Sequence, residues 1–362
     1  MRYIDEFRSA AHVKALAGRI AREAGRLRRP VRFMEVCGGH TMAIHRFGIP
    51  GLLPGNVELL SGPGCPVCVT PTTYIDRAIE IAGHPGAILA TFGDLYRVPG
   101  RDGSLEDAAA HGADVRVVYS PRDALRIASG NPARRVAFLA IGFETTAPTV
   151  AAALLEAQAR RLTNFAVLSG HKTMPPALRA LLEAPQVALD GLILPGHVST
   201  IIGVQPYRFI PQEFRVPCCI TGFEPADILQ SILKLVEQCV AGAPEVENAY
   251  ARAVRPEGNR RACELIEKVF QPVDAQWRGI GLIEASGLDL RKEWEAWRLE
   301  PPDPALPSVE LAACRCGEVL RGLIKPPQCP LFAVRCTPDT PVGPCMVSSE
   351  GSCAAHYHYR GA

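Results

Sequence analysis

The stretch Cys37-Gly38-Gly39-His40-Thr41 sets a thiol and an imidazole around two glycines, at the end of the largely apolar run Val31 to Val36. Glycine accepts either sign of φ, so a chain leaving a strand can turn sharply there and keep the thiol and imidazole exposed at the strand's end. In a parallel α/β sheet that end carries the chemistry. A lone Cys-Gly-Gly-His is equally compatible with an inert buried cysteine beside an ordinary turn. A second thiol site shifts the balance. Gly62-Pro63-Gly64-Cys65-Pro66-Val67-Cys68 ends the apolar run Val57 to Leu60, and Thr70-Pro71-Thr72 opens an expected helix whose amino terminus should lower a thiol pKa. Cys65 and Cys68 can close a disulfide in one tight turn or bind metal with two thiolates. With no second pair nearby they suit a redox dithiol better than a structural zinc half-site, a merely structural pair being the alternative.

The third set holds six of the 13 cysteines: Cys314, Cys316, Cys329, Cys336, Cys345 and Cys353. From Cys314 there are 14 intervening residues to Cys329, then 6 to Cys336 and 16 to Cys353. Four separated thiolates on a loop-rich segment enclose either zinc or an iron-sulfur cluster, and spacing does not choose between them. A bound metal is expected in either case.

Short apolar runs of strand length, most ending near a glycine and followed by helix-like stretches, argue for parallel sheets with crossover helices. Such runs end before Asp94, Glu144, His171, Lys172, His197 and Glu224. These side chains are candidates to line one crevice with Cys37, or else cap or flank the helices that follow. Residues 3 to 28, with Ile4, Phe7, Leu16, Ile20 and Leu27 at roughly helical spacing, predict an amphipathic helix. Helical periodicity returns at Pro225 to Cys239 and Asn259 to Phe270, before a Pro-rich passage from Pro301 to Pro307. Seams are expected at Glu106 to Arg122 and between 220 and 250. Cys218 and Cys219 fall in a strand and read as core thiols, since adjacent cysteines bridge only with strain.

At 362 residues and 48% hydrophobic content the chain has ample material for two or three packed cores. Its 39 basic and 37 acidic residues are mixed along the chain, and aromatic residues are 6%, which argues against a nucleic-acid face. Met1 to Arg29 has neither the apolar core of a signal peptide nor the length of a membrane span. The cytoplasm is the expected compartment, and there thiols stay reduced, which favours metal or redox work over a disulfide framework.

Together with Pro195-Gly196-His197-Val198-Ser199, Gly222-Phe223-Glu224-Pro225 and the tail Cys336-Thr337-Pro338 through Cys345-Met346-Val347-Ser348-Ser349-Glu350-Gly351-Ser352-Cys353-Ala354-Ala355, the two N-terminal thiol motifs resemble the HypD family of hydrogenase maturation factors. The resemblance covers nearly the whole chain. It implies a scaffold on which the iron of nickel-iron hydrogenases receives two cyanides and one carbon monoxide. The small chaperone HypC and the cyanide donor HypE are the implied partners. The implied fold is two similar parallel-sheet α/β domains plus a third, cysteine-rich domain holding a 4Fe-4S cluster. That assigns 31–120 and 121–222 to the α/β domains, and 1–30 with 223–362 to the third. By position, Cys37 would ligate the cyano-iron beside His40, Cys65 and Cys68 would be the dithiol, and Cys314, Cys329, Cys336 and Cys353 would hold the cluster. Cys316 and Cys345 stand close enough to replace a ligand or admit electrons. A passive scaffold with a structural cluster and a cluster-bearing thiol-disulfide reductase are the competing functions, and Cys37 with its Gly-Gly-His is what a simple reductase would not require.

Overall fold

Branched apolar runs favour extended, buried backbone. In the computed structural model, which describes residues 5–306 and 313–359, they assemble into two sheets. The strands are β1 (Val31–Glu35), β2 (Val57–Ser61), β3 (Ile88–Thr91), β4 (Val115–Val117), β5 (Val136–Gly142), β6 (Phe165–Lys172), β7 (Gly191–Leu194), β8 (Cys218–Ile220), β9 (Val246–Asn248), β10 (Phe270–Trp277), β11 (Gly281–Leu290) and β12 (Arg298–Leu299). One sheet is wholly parallel in the order β2-β1-β7-β8-β9. The other runs β10-β11-β6-β5-β3-β4, parallel from β6 to β4, with the hairpin β10–β11 antiparallel to β6 and β12 also paired to β6. Both parallel parts share one winding: the second strand lies outside the first and the third returns on the first strand's other side. Two similar parallel α/β units and a cysteine-rich C-terminal region are therefore present, as expected.

Sheet membership cuts across the boundaries at 120 and 222. β1 and β2 belong with β7, β8 and β9, whereas β3 and β4 belong with β5 and β6. The segment 106–122 is not a seam between sheets, because it contains β4, an edge strand paired to β3. The region from 223 onward is also divided. The helix Pro225–Ala241 packs on the helix Ala10–Ala24, with Ile228, Leu229 and Ile232 meeting Leu16, Ile20 and Ala24 in one core with Phe33 and Ile193. Each such fully buried side chain contributes about 1.5–3 kcal/mol. The hairpin β10–β11 has no clear sequence signal, since Pro272 and a register shift between Val273 and Ala275 interrupt its alternation, and an edge strand tolerates both. Ile4 and Pro307 lie outside the described residues. No helix among the described residues is long and apolar enough to cross a membrane.

Candidate metal and thiol centre

In the all-parallel sheet the order reverses at β1, which has β2 on one side and β7 on the other. A crevice forms outside the carboxyl ends of strands at such a switch point. Four loops meet there: 37–41 after β1, 62–68 after β2, 195–197 after β7 and 221–224 after β8. Cys37 precedes the helix Gly38–Arg46 in extended conformation, and its backbone N–H donates to Glu35 Oε2 at 3.0 Å. His40 lies one turn into that helix, with Nε2 3.3 Å from the Thr221 carbonyl and Nδ1 buried without a partner. Phe223 is stacked between two imidazoles, 4.6 Å from the His40 ring centroid and 3.9 Å from that of His197. The C-terminal tail closes the top, because a Cβ on Gly38 would stand 2.6 Å from Glu350 Cβ. Cys37 is only 7% exposed and His40 is fully buried, which corrects the expectation of an exposed thiol and imidazole. Burial, then the nearby Glu350 charge, pushes the Cys37 thiol up to about 12, despite its place at a helix amino terminus.

The dithiol loop is docked directly on this site. Gly62 N–H donates to Glu35 O, Gly38 N–H donates to Gly64 O at 2.9 Å, and Cys68 N–H donates to Cys65 Sγ at 3.3 Å. The helix that follows starts at Thr72, and burial drives the Cys68 thiol well above its usual value. That corrects the expected lowered pKa. The Cys68 thiol has Cys345 as a neighbour, Cys345 neighbours Cys316 and Cys353, and Cys316 neighbours Cys314. All six C-terminal cysteines, Cys314, Cys316, Cys329, Cys336, Cys345 and Cys353, line one small cavity with Leu331, Phe332 and Met346. No cysteine is joined in a disulfide, and among the described residues no three His, Cys, Asp or Glu side chains converge as a single ion would hold them.

A family model described as "HypD: Hydrogenase formation hypA family" matches residues 11–360. The chain belongs to the HypD family. It is 49% identical to the hydrogenase maturation factor HypD of Escherichia coli strain K12, over 99% of this chain and 98% of that protein. It is 46% identical to HypD of Rhodobacter capsulatus over 100% of this chain and 99% of the relative, and 49% identical to the hydrogenase expression/formation protein HupD of Azotobacter chroococcum mcd 1 over 99% and 97%.

Of the other strand-end residues in this HypD-family chain, only His197 joins Cys37. Asp94 is one step away, accepting from Ser348 Oγ at 3.0 Å beside Glu350. Glu224 pairs with Arg8, and its loop-mate Asp227 pairs with Arg252. Glu144, His171 and Lys172 end β5 and β6 in the other sheet. Glu144 accepts from Met174 N–H at 2.8 Å, and Lys172 donates to Gln276 O at 2.7 Å. His171 and Lys172 line a separate cavity of about 520 Å³ with Thr70, Tyr74 and Arg298. Cys218 and Cys219 are buried core thiols, as read from the sequence. Glu35, Phe223 and Glu350 were not singled out as site residues, although Phe223 and Glu350 sit within the quoted motifs.

Buried ionisable groups make the HypD-family fold acid-sensitive. His40, His45, His171 and His356 are held below 6.5, at about 3, 4, 4 and 3, first by burial. Glu35 and Glu144 are pushed from 4.5 up to about 8 and about 7, also by burial. Between pH 4.5 and 6.5 the unfolded chain binds these four imidazole protons that the folded chain refuses, and the folded chain keeps these two carboxyl protons that the unfolded one releases; His197, lowered by burial, and Glu350, raised by burial, add to opposite sides. The difference, four less two, favours unfolding as pH falls, each proton being worth up to about 1.4 kcal/mol per pH unit. The melting temperature is expected to rise from about pH 5 to about pH 6.5. A scan that is flat or falls over that range would refute the assignment.

Proposed function

We propose that this chain serves hydrogenase maturation in the cytoplasm, as the assembly site for an iron that carries two cyanides and one carbon monoxide. Cys37 holds that iron substrate beside His40, Cys65 and Cys68 form the redox dithiol, and Cys314, Cys329, Cys336 and Cys353 hold a 4Fe-4S cluster. The observation that carries this reading is contiguity. Gly64 lies against the Cys37 backbone while Cys68 of the same loop meets Cys345 at the wall of the six-thiol cavity. Low-spin iron with cyanide and carbonyl ligands suits a soft thiolate. A thiol pushed up to about 12 stays protonated and unreactive until a bound metal ion displaces its proton to solvent. His40 Nδ1, unpartnered and buried, is placed to hydrogen-bond a ligand group next to Cys37, and the Phe223 stack fixes its ring. Six thiols around one cavity include the four soft donors that a polynuclear iron-sulfur cluster takes. A cluster bound there would supply electrons singly. Cys345, touching both Cys68 and Cys316, spans the gap between dithiol and cavity.

A small chaperone of the HypC type supplies a second cysteine opposite Cys37, and HypE delivers cyanide. The test is infrared and Mössbauer spectroscopy on the chain purified without air together with its small chaperone. Cyanide and carbonyl bands are expected in the wild type and lost in Cys37→Ala, with the 4Fe-4S signal retained in both. Bands that survive in Cys37→Ala exclude Cys37 as the anchor. A cluster signal with no such bands in any preparation favours the thiol-disulfide reductase instead.

A further inference from the structure

The helix Gly196–Ile202 starts at the Cys37 crevice, where His197 is exposed at the mouth, and ends about 10 Å away against a separate cavity of about 720 Å³. Thr200, whose hydroxyl donates to His197 O at 2.6 Å, and Ile201 form one wall of that cavity. Arg255, Arg260 and Arg261 stand around it, with Glu257 as its carboxylate. Gly203 and Gly258, at φ +77° and +70°, face each other so closely beneath it that a Cβ on Gly258 would stand 2.2 Å from Ile201 O. Asn259 N–H donates to Ile201 O at 2.8 Å and Val204 N–H to Pro256 O at 3.0 Å, so the arginines are presented on a fixed platform. All three are exposed, and among the described residues no guanidinium of the three has an ion pair or a hydrogen bond. Elsewhere arginines close on carboxylates, as Arg8 does on Glu224, Arg122 on Glu156 and Arg179 on Glu213. Arg260 and Arg261 moreover occupy the first turn of the helix Arg260–Val269, which holds no acidic residue, and a helix dipole disfavours cations there. Three unpaired charges set partly against a dipole do not serve the fold, and a negative partner accounts for them. They are fewer than the about six or more phosphate contacts usual in nucleic-acid binding, and no aromatic side chain lines the cavity for a base to stack on, which leaves an acidic protein surface.

We propose that this patch is the docking site for an acidic face of the protein that delivers cyanide to the Cys37 iron. The inference rests on reading Cys37 as an assembly site served by a small chaperone and a cyanide donor. A chaperone whose cysteine stands opposite Cys37 occupies the crevice itself, so the donor must approach beside it, and the patch lies one short helix to the side. At that distance, roughly one Debye length at 0.1 M salt, its charge still acts at the crevice mouth and steers the donor's approach.

The test measures HypE binding to the full chain, purified without air in complex with its small chaperone, by biolayer interferometry from about 50 to about 300 mM salt. The wild-type association rate is expected to fall steeply as salt rises. The triple variant Arg255→Glu, Arg260→Glu, Arg261→Glu is expected to bind about tenfold more weakly at low salt, chiefly through slower association, and to lose the salt dependence. Its melting temperature should equal or exceed that of wild type, since carboxylates replace two cations in the first turn of a helix, so the loss is one of docking and not of fold. Lysine at the same three positions keeps the charge and is expected to stay within about threefold of wild type. Unchanged binding in the glutamate variant overturns the proposal, and an equal loss in the lysine variant overturns it in favour of a contact set by shape. Loss of the small chaperone instead of HypE overturns the assigned occupant, and a single-stranded oligonucleotide held by wild type but not by the glutamate variant overturns it in favour of nucleic acid. A wild type that binds HypE at no salt concentration overturns the partner reading together with this inference, whereas wild-type binding that ignores the patch overturns this inference alone.

Discussion

Gly64→Ala is expected to destroy the centre. A Cβ at that position would stand 2.1 Å from Cys37 N, 2.3 Å from Val36 C and 2.4 Å from Cys37 Cα, and all three are backbone atoms that no rotamer change can move aside. Two strands' loops must separate to admit one methyl group, breaking the bond from Gly38 N–H to Gly64 O that locks the dithiol loop to the Cys37 turn. Overpacking by one or a few methylenes costs about 1–3 kcal/mol when side chains yield, and here the cost is at or above the top of that range. Denaturant midpoints should show this loss, and any folded fraction should lose the cyanide and carbonyl bands as completely as Cys37→Ala. Gly55→Ala is the matched control, since nothing lies within 4 Å of its added Cβ and its effect should stay within about 0.5 kcal/mol. Equal stability of the two variants would mean that the loops do not dock as described.

The placement of the thiol motifs was legible because it depends on residue type and strand position, which a single chain displays. The runs ending at Glu35, Ser61 and Leu194 are strands, and their carboxyl ends deliver Cys37, the Cys65/Cys68 pair and His197 to one crevice. The division between sheets was not legible, because the apolar run of β3 looks no different from that of β2, yet the two pair with different neighbours. For the same reason equal positions at strand ends did not mean a shared site: Lys172 ends a strand in the other sheet and bonds Gln276. The exposure expected for Cys37 failed through a long-range contact, the tail residue Glu350 packing on Gly38, of which the local glycine pattern gives no sign. The small side chain required there was visible, but the group that fills the space was not.

Arg252→Ala is expected to destabilise the fold by about 1–3 kcal/mol, because it removes the partly exposed partner of a buried carboxylate. Asp227 is 2% exposed and receives both terminal nitrogens of Arg252, which also lies over the Phe7 ring at 4.0 Å and the Tyr250 ring at 4.6 Å. The same carboxylate accepts from Glu224 N–H at 3.3 Å and so shapes the turn that holds Phe223 between His40 and His197. Without the guanidinium, Asp227 is an uncompensated buried charge at the start of the helix Pro225–Ala241. Two further variants separate charge from packing. Asp227→Asn combined with Arg252→Ala removes the charge that needs a partner and should recover part of the loss, whereas Arg252→Lys keeps a charge but not the two-pronged bond and should fall between. Denaturant melts of these chains together with Asp227→Asn alone give the coupling directly. If the double variant is as unstable as the sum of its parts, the pair is not coupled, and the Phe223 turn is held by the Phe7 and Tyr250 stacking instead.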